Sequence, residues 1–499
     1  MVRGPGRDGT GIWHEAAGGY LVGMDLSLRR SLYMLMLVGT VGVMTARVAN
    51  VELLYEPSVH TPRPKSDRPG EFYPARKWPD KLPAAWPTFG SNDRARWATV
   101  KALVEEGTFV IGRRVDDPKE PKGYRDEGIR FTDGFGSVDI VLHPDRKEFY
   151  ATKPPLFTVL VAGEYWVLHK LLKWNLSEYR WEVVVTCLLT FNVLPLAIAL
   201  WLLSRLLERY ATTDWGRLFT FSVACWGTFL TTFAVTLNNH VPAACCIFFA
   251  IYALLGPPGL GRALVAGLFA GMAVSLDLPS AAFAGVAGVV LLLRSPRDLI
   301  GFVPGFLAPV LVQTVLGYMS IGTWIPIQAQ FGGPLYEYPG SHWEKLRWRE
   351  QGLTERPPGI DFAEEPKHVY AFHLLFGHHG LFSLTPVWLL AVAGFFARGQ
   401  ERLFRFTPLV LAVVVGFYIY ETNNYGGWTS GPRWLFWTTP LLILALVPVA
   451  DRVGRSRFGR GVGYICLAAS IFSATYPWAN PWRHPWIYQW CEYMDWVHY

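Results

Sequence analysis

Charged residues are scarce in this chain of 499 residues, making up only 17% of it, against roughly 25% in soluble domains. Set beside a hydrophobic share of 51%, that scarcity excludes a soluble multidomain enzyme. Cysteine is sparse too. The six present (Cys187, Cys225, Cys245, Cys246, Cys466 and Cys491) fall mostly inside apolar runs, and they lack the CxxC and histidine spacings of a metal knuckle. They read as packing residues. The formal charge of +7 lacks a basic face on which to gather, because Arg and Lys sit largely in short loops between apolar runs. This argues against nucleic acid as a partner and turns the sign of the charge into a statement about topology. Neither a repeat of roughly 20–50 residues nor a low-complexity tract occurs, so a solenoid is excluded.

What the chain has instead is a succession of long apolar runs. They fall near 32–48, 181–204, 217–237, 241–256, 262–277, 279–294, 298–319, 380–397, 405–420, 433–450 and 461–476. Helices of about twenty apolar residues cross a hydrocarbon core of roughly 30 Å, so the pattern predicts an all-α integral membrane protein with about eleven spans. The first run follows Arg29 and Arg30 and is not followed by an A-x-A cleavage pattern, which predicts a retained signal-anchor. With the amino terminus cytoplasmic, alternate short loops carry Arg205 and Arg209, then Arg262, then Arg294 and Arg297, then Arg398, Arg402 and Arg405, then Arg452, Arg455, Arg457 and Arg460. All then lie on the cytoplasmic side. The agreement requires 154–172, which contains Glu164, His169 and Lys170, to be an amphipathic helix on the outer surface. Treating it as a span would invert every later loop.

The expected organisation is a cytoplasmic segment 1–30, a first transmembrane helix 31–49, an external loop 50–180 with interfacial helices, and a transmembrane bundle 181–320. A second external loop 321–380, carboxy-terminal transmembrane helices 381–476 and an external aromatic-rich tail 477–499 complete it. Loops as long as the first are uncommon in compact folds unless they are functional. The active region is therefore expected beneath the two large loops.

Three stretches carry candidate chemistry. In Ser91–Gly107, Trp97, Val100, Leu103 and Val104 recur at helical spacing, predicting an amphipathic helix closed by glycine. Asn92 or Asp93 would cap it, and a cap is the plain reading of Asp93. Downstream, Tyr150-Ala-Thr-Lys-Pro-Pro-Leu156 sets Lys153 at a helix start, where a cation and a helix amino terminus could both face an anion. The competing reading is a lysine that snorkels to the headgroups. Finally, Asn423-Asn-Tyr-Gly-Gly-Trp-Thr-Ser-Gly-Pro-Arg433 puts an arginine after a glycine-rich turn, a setting that suits bidentate phosphate binding. A tight loop with Arg433 turned outward is the alternative.

Taken together, an acidic residue followed by x-x-Arg-aromatic, a helix ending in Gly and then Tyr-x-x-Lys-Pro-Pro-Leu resembles the first external loop of GT-C glycosyltransferases. The likeness is to the protein mannosyltransferase and aminoarabinose transferase (family 39-like) group. Gly426-Gly-Trp-Thr-Ser-Gly-Pro-Arg433 and Gly380-Leu-Phe-Ser-Leu-Thr-Pro386 resemble late signatures of the same group. The resemblance implies a GT-C-like helical bundle that transfers a sugar, with inversion, from a polyprenyl-phosphate donor to a protein, lipid or glycan acceptor on the non-cytoplasmic face. It implies that Asp93 is the catalytic acid, serving the acceptor as general base or metal ligand, and that Lys153 holds the donor phosphate. Arg433 and Tyr150 match further phosphate-binding positions, although a tyrosine at the headgroups is also a common anchor.

Asp93-Arg-Ala-Arg-Trp97 keeps the acid, arginine and aromatic of the group's opening but loses its second acid. The turn Asn238-Asn239-His240 likewise has no carboxylate where some members place one. A divalent metal is therefore left open, with Asp93 and His240 as candidate ligands. Arg96, Asn239, His240, Asp277 and His378 are candidate cavity-lining residues. Asp277 stands at a turn between apolar runs, where ionisable groups are expensive. His378 and His379 are adjacent and expected to diverge, arguing against a two-histidine metal site. Asp116, Asp117, Asp139, Glu344 and Glu350 read as solvated loop carboxylates. Membrane lipids and the lipid-linked sugar are the expected partners, in a bacterial inner membrane with the site facing outward. The alternatives are a transporter or flippase of lipid-linked glycans, and a ligase-like transferase whose essential group is His240 or His378.

Overall fold

The computed structural model describes residues 24–50, 63–64, 72–73, 90–132, 134–396, 405–422, 424–478 and 480–499. The amino-terminal segment 1–23, most of the first half of the first loop, and Arg398 and Arg402 lie outside the described residues.

Each apolar run is largely helical. The helices used below are α1 Leu26–Ala49, α2 Ser91–Lys101, α3 Pro155–Leu172, α4 Arg180–Tyr210 (with a π turn at Leu189–Val193), α5 Asp214–Trp226, α6 His240–Leu254, α7 Leu260–Leu276, α8 Ala281–Arg294, α9 Leu299–Ile321 and α10 Lys367–Leu375. They continue with α11 Val387–Gly394, α12 Thr407–Glu421, α13 Thr439–Val453, α14 Arg457–Thr475 and α15 Trp486–Tyr493. Four helical stretches, Leu26–Ala49, Arg180–Tyr210, Pro296–Ile321 and Arg433–Val453, are long and apolar enough to cross a membrane, and four more apolar helices are shorter. Two expected spans are broken. The run 217–237 stops at Gly227 before a short helix Phe229–Phe233, and the run 380–397 is interrupted at Thr385–Pro386.

Burial separates the helices by role. In the most apolar window of Arg433–Val453, 89% of residues are buried, against 22% for Pro296–Ile321. Along α9, Ile300, Leu311 and Met319 are largely uncovered. Apolar side chains of this size around the outside of a helical bundle belong in hydrocarbon rather than water. The chain is a membrane protein.

Close helix packing between α7 and α9 rests on glycine. Gly267 and Gly271 of α7 face Gly301 and Gly305 of α9. A Cβ at Gly267 would stand 2.1 Å from the Phe302 carbonyl oxygen, and one at Gly305 would stand 2.3 Å from that of Leu264. Two Gly-x-x-x-Gly pairs thus let the backbones touch, as small residues do in membrane interiors where no hydrophobic force pulls helices together.

The arginine-bearing short loops meet at one end of the bundle. Arg29 binds Glu208 at 3.0 Å and Asp214 at 3.1 Å, Asp451 accepts from the Thr212 and Thr213 backbone N–H groups, and Arg294 donates to the Leu254 carbonyl. At the opposite end Arg47 closes α1 by donating to the carbonyls of Thr231, Thr232 and Trp478. The two large loops lie at that opposite end.

The all-α expectation needs correction there. The first loop carries a four-stranded antiparallel sheet of β1 Gly112–Asp116, β2 Tyr124–Glu127, β3 Ile140–Leu142 and β4 Glu148–Ala151, in the order β2-β1-β4-β3. Strands of three to five residues are too short for an alternating pattern to register. Their pairing rests on cross-strand contacts such as Arg114 to Asp126 at 2.7 Å, with the Arg114 guanidinium 3.7 Å over the Tyr124 ring. Such pairs stabilise a sheet without leaving a periodic trace. The second loop packs on this sheet, the Leu142 N–H donating to the Leu335 carbonyl and the Trp343 indole to that of Val138.

Candidate active site

The site begins at the amino terminus of α2. Gly90 precedes the helix, and Asp93 in its first turn accepts the Gly90 N–H at 2.8 Å. Asp93 is thus a helix-terminal carboxylate as the plain reading holds, although Gly90 occupies the cap position. A carboxylate in the first turn is favoured by the positive end of the helix. The helix is not the surface-lying amphipathic element expected, because Asn92, Asp93, Arg96, Trp97 and Thr99 are all buried. It runs on into a π turn, Ala102–Glu106, that closes as expected at Gly107 with φ of 70°.

Its first residue is latched to the turn before β3. Ser91 Oγ accepts from the Val138 and Asp139 N–H groups at 2.8 and 3.1 Å, and the Ser137 hydroxyl donates to the Ser91 carbonyl. The latch carries Asp139 inward, where its Oδ1 lies 2.6 Å from Lys153 Nζ. Asp139 is not the solvated loop carboxylate that an isolated acid suggests. Burial would raise its carboxyl, but the adjacent Lys153 ammonium outweighs this and holds it below the usual carboxylate range. Burial likewise pushes the Lys153 ammonium down, and Arg96 and Arg433 add to that while Asp139 opposes it.

Lys153 sits ahead of Pro154 and Pro155, and Pro155 opens α3. The helix terminus itself offers little to an anion. Both prolines lack an N–H, and the Leu156 N–H is committed to Gln313 Oε1 at 2.9 Å. Any anion affinity here comes from the ammonium.

Arg96 lies one turn beyond Asn92. Its terminal nitrogens donate to the Asn92 carbonyl and side chain, the Leu237 carbonyl at 3.3 Å, and the Asn239 side chain, while its Nε has no partner. Burial pushes its guanidinium down, against the pull of Asp139, Asp93 and Asp277. Asn239 in turn donates to the Leu276 carbonyl at 2.8 Å, and the next residue, His240, places Nδ1 2.7 Å from Asp277 Oδ2. The turn 238–240 and Asp277 at the end of α7 are thereby joined to α2.

Arg433 completes the cluster. Gly426 and Gly427 adopt φ of 93° and 69°, conformations that glycine takes without strain. Asn424 Oδ1 accepts both of their N–H groups and Asn424 Nδ2 donates to Asp361. The turn presents the Gly426 carbonyl to Arg433 Nε at 3.0 Å. Among the described residues, Arg433 Nη1 and Nη2 make no hydrogen bond or ion pair. Its electrostatic neighbours include Asp139, Asp277 and Asp361. The tail covers this corner: Trp482 lies 5.0 Å from the guanidinium, and a Cβ at Gly90 would meet its ring at 2.7 Å.

Of the candidates, Asp93, Arg96, Lys153, Asn239, His240, Asp277 and Arg433 come together, with Asp139 added. Tyr150 points to the other face of β4, buried with Val141, Ile321, Ile327, Tyr336 and Trp343, and its hydroxyl donates to Glu148 at 2.6 Å. His378 stands in a separate cluster with His373, Glu365 and Tyr499. Its ring and that of His379 do not diverge, since their Nδ1 atoms lie 2.6 Å apart. Asp93 and His240 do not converge with a third ligand: among the described residues, the grouping of at least three side chains able to hold a metal ion is Glu365, His373 and His378. His240 instead spends Nδ1 on Asp277.

No protein-family model matches the chain, and no curated relative matches it in sequence. Among solved structures, it is similar to the oligosaccharyltransferase of Archaeoglobus fulgidus in its apo form, with 10% identity, a TM-score of 0.45, and coverage of 94% of this chain and 58% of that one. The same protein tethered to an acceptor peptide with an NVT sequon gives 11% identity, a TM-score of 0.46, and coverage of 94% and 57%. Its complex with an inhibitory peptide and a dolichol-phosphate gives 10%, 0.42, and coverage of 94% and 57%. The chain spans a little over half the length of that protein.

Proposed function

We propose that this chain is a membrane glycosyltransferase of the GT-C kind, transferring a sugar from a polyprenyl-phosphate donor to an acceptor at the non-cytoplasmic face. The observation that carries this reading is Arg433, fixed through Nε with both terminal nitrogens unclaimed among the described residues, in electrostatic contact with Lys153 and Arg96. A guanidinium prepared in this way suits two oxygens of a phosphate. The lipid tail would enter between helices while the acceptor arrives from water.

In the reaction, the acceptor oxygen attacks the anomeric carbon as the bond from that carbon to the phosphate oxygen breaks. The bonding pair leaves with the phosphate, and the anomeric centre inverts. Arg433 and Lys153 stabilise the negative charge gathering on the leaving group. To do so, Lys153 exchanges Asp139 for the phosphate. The acceptor proton passes to the Asp93 carboxylate as general base. Arg96, held on three sides, positions Asn239 and the 238–240 turn rather than the donor.

A divalent metal, if bound here, would polarise the phosphate or the acceptor, with Asp93 and His240 as the side chains to hold it. The engagement of His240 Nδ1 with Asp277 would leave Nε2 for that role. The same contact favours a second reading, in which His240, oriented by Asp277, is the base in place of Asp93.

The test is protein reconstituted in lipid and offered a panel of polyprenyl-phosphate sugars, with transfer and sugar release measured for the wild type, Asp93→Asn, His240→Ala and Lys153→Ala. General-base removal is expected to lower turnover by about 10²–10⁴-fold in Asp93→Asn while donor binding persists. Full activity in a folded Asp93→Asn with loss in His240→Ala would move the base to the His240–Asp277 pair. Donor binding and lipid flux without transfer would make the chain a transporter.

A further inference from the structure

Away from this site lies a second group of polar side chains that the transfer reaction does not use. Glu365 precedes α10, His373 lies in its last turn, and His378 and His379 follow it. His484, from the tail, joins them, with its ring centroid 5.9 Å from that of His379. His378, His379 and His484 are buried, and ring nitrogens of three histidines (His373 Nδ1, His379 Nε2 and His484 Nδ1) are buried without any hydrogen-bond partner. Buried polar atoms are nearly always satisfied, so the orphaned nitrogen on His373, beside Glu365 and His378, points to a partner.

We propose that Glu365, His373 and His378 bind a zinc-class divalent ion. One donor atom from each already lies within 4.8 Å of the others. A tetrahedral shell with bonds of about 2.0–2.1 Å brings its donors to about 3.3 Å from one another. That closure requires the rings of His373 and His378, now stacked with centroids 4.0 Å apart, to splay about their side-chain torsions. Two imidazoles and a carboxylate with a fourth position left open are a zinc donor set.

The surrounding contacts supply what metal-binding histidines require. His378 Nδ1 meets His379 Nδ1 at 2.6 Å, so His378 turns Nε2 to the ion, displacing the Tyr499 hydroxyl that now stands 2.9 Å away. Tyr425 and Tyr499 donate to the two oxygens of Glu365. Partners of this kind orient ligands and fix their tautomers. The ion would staple the end of the second large loop to α10 and the histidine turn that follows it, beside Tyr425. That residue immediately precedes Gly426, whose carbonyl fixes Arg433. The site does not depend on the proposed transfer reaction.

Metal analysis of the full chain in detergent, purified without a histidine tag and exposed to zinc before washing, tests this. The wild type is expected to keep about one equivalent, and Glu365→Gln/His373→Ala to lose it. Tyr499→Phe keeps all three ligands and loses only the hydrogen bond to Glu365, so it should still retain the ion, with affinity lowered about 10–100-fold. Asp93→Asn should also retain it, which separates this site from the transfer site. Chelator should lower the melting temperature of the wild type and not that of the double variant. A zinc-free wild type, zinc unchanged in the double variant, or zinc lost equally from Tyr499→Phe would overturn the assignment.

Discussion

Asp139 and Lys153 form a buried ion pair, with side chains 19% and 12% exposed and charged atoms 2.6 Å apart. Replacing Lys153 with Met leaves the Asp139 carboxylate buried without its nearest cation. Breaking such a pair costs about 3–5 kcal/mol, whereas removing both charges together is close to neutral. Arg433 also reaches Asp139, so about 3 kcal/mol, the lower end, is the expected loss for Lys153→Met. Lys153→Met/Asp139→Asn should recover most of that. SDS-titration unfolding in mixed micelles reads the difference, and the double-mutant cycle isolates the coupling.

The same pair makes a sharper prediction about ligand binding. If the phosphate must displace Asp139 from Lys153, then Asp139→Asn should tighten polyprenyl-phosphate binding while lowering stability, and Lys153→Met should weaken both. Equilibrium binding in nanodiscs decides it. Weaker binding in a folded Asp139→Asn would refute the exchange and make Asp139 part of the donor site.

Donor binding should fade at alkaline pH well below the ordinary lysine range. Burial lowers the ammonium of Lys153, and the neutral amine that forms as pH rises has no charge to offer a phosphate. Below its lowered pKa, Lys153 is charged and binding is complete. Lys153→Arg should move the alkaline limb upward, and an unmoved limb in that variant would assign the titration to another group. Between α7 and α9, Gly305→Val forces a side chain against the Leu264 carbonyl. Overpacking of this kind costs about 1–3 kcal/mol, visible as a lower melting temperature in detergent. Gly288→Val, where a Cβ meets nothing within 4 Å, should leave it nearly unchanged.

By itself the sequence determined the solvent and the helices. Apolar runs of twenty residues state their environment locally, and every such run is largely helical. Local pattern also sufficed for the α2 helix with its closing Gly107, whereas Asp93, Lys153 and Arg433 stand out through the family resemblance of the motifs that hold them. The number of spans was less legible, because breaks at Gly227 and at Thr385–Pro386 divide runs that hydropathy joins.

Tertiary structure alone decided which polar residues are buried together. Asp139 looks like any loop acid until Ser91 draws its turn inward. Tyr150 shares a motif with Lys153, yet strand β4 turns it to the other face. His378 meets Glu365 and His373 only in the folded chain, where Tyr499 of the tail bonds both Glu365 and His378. Short strands and long-range salt bridges leave no periodic trace, and desolvation is a property of the surroundings in space. A carboxylate or imidazole takes its chemistry from neighbours far away in the chain, and these only the folded structure assembles.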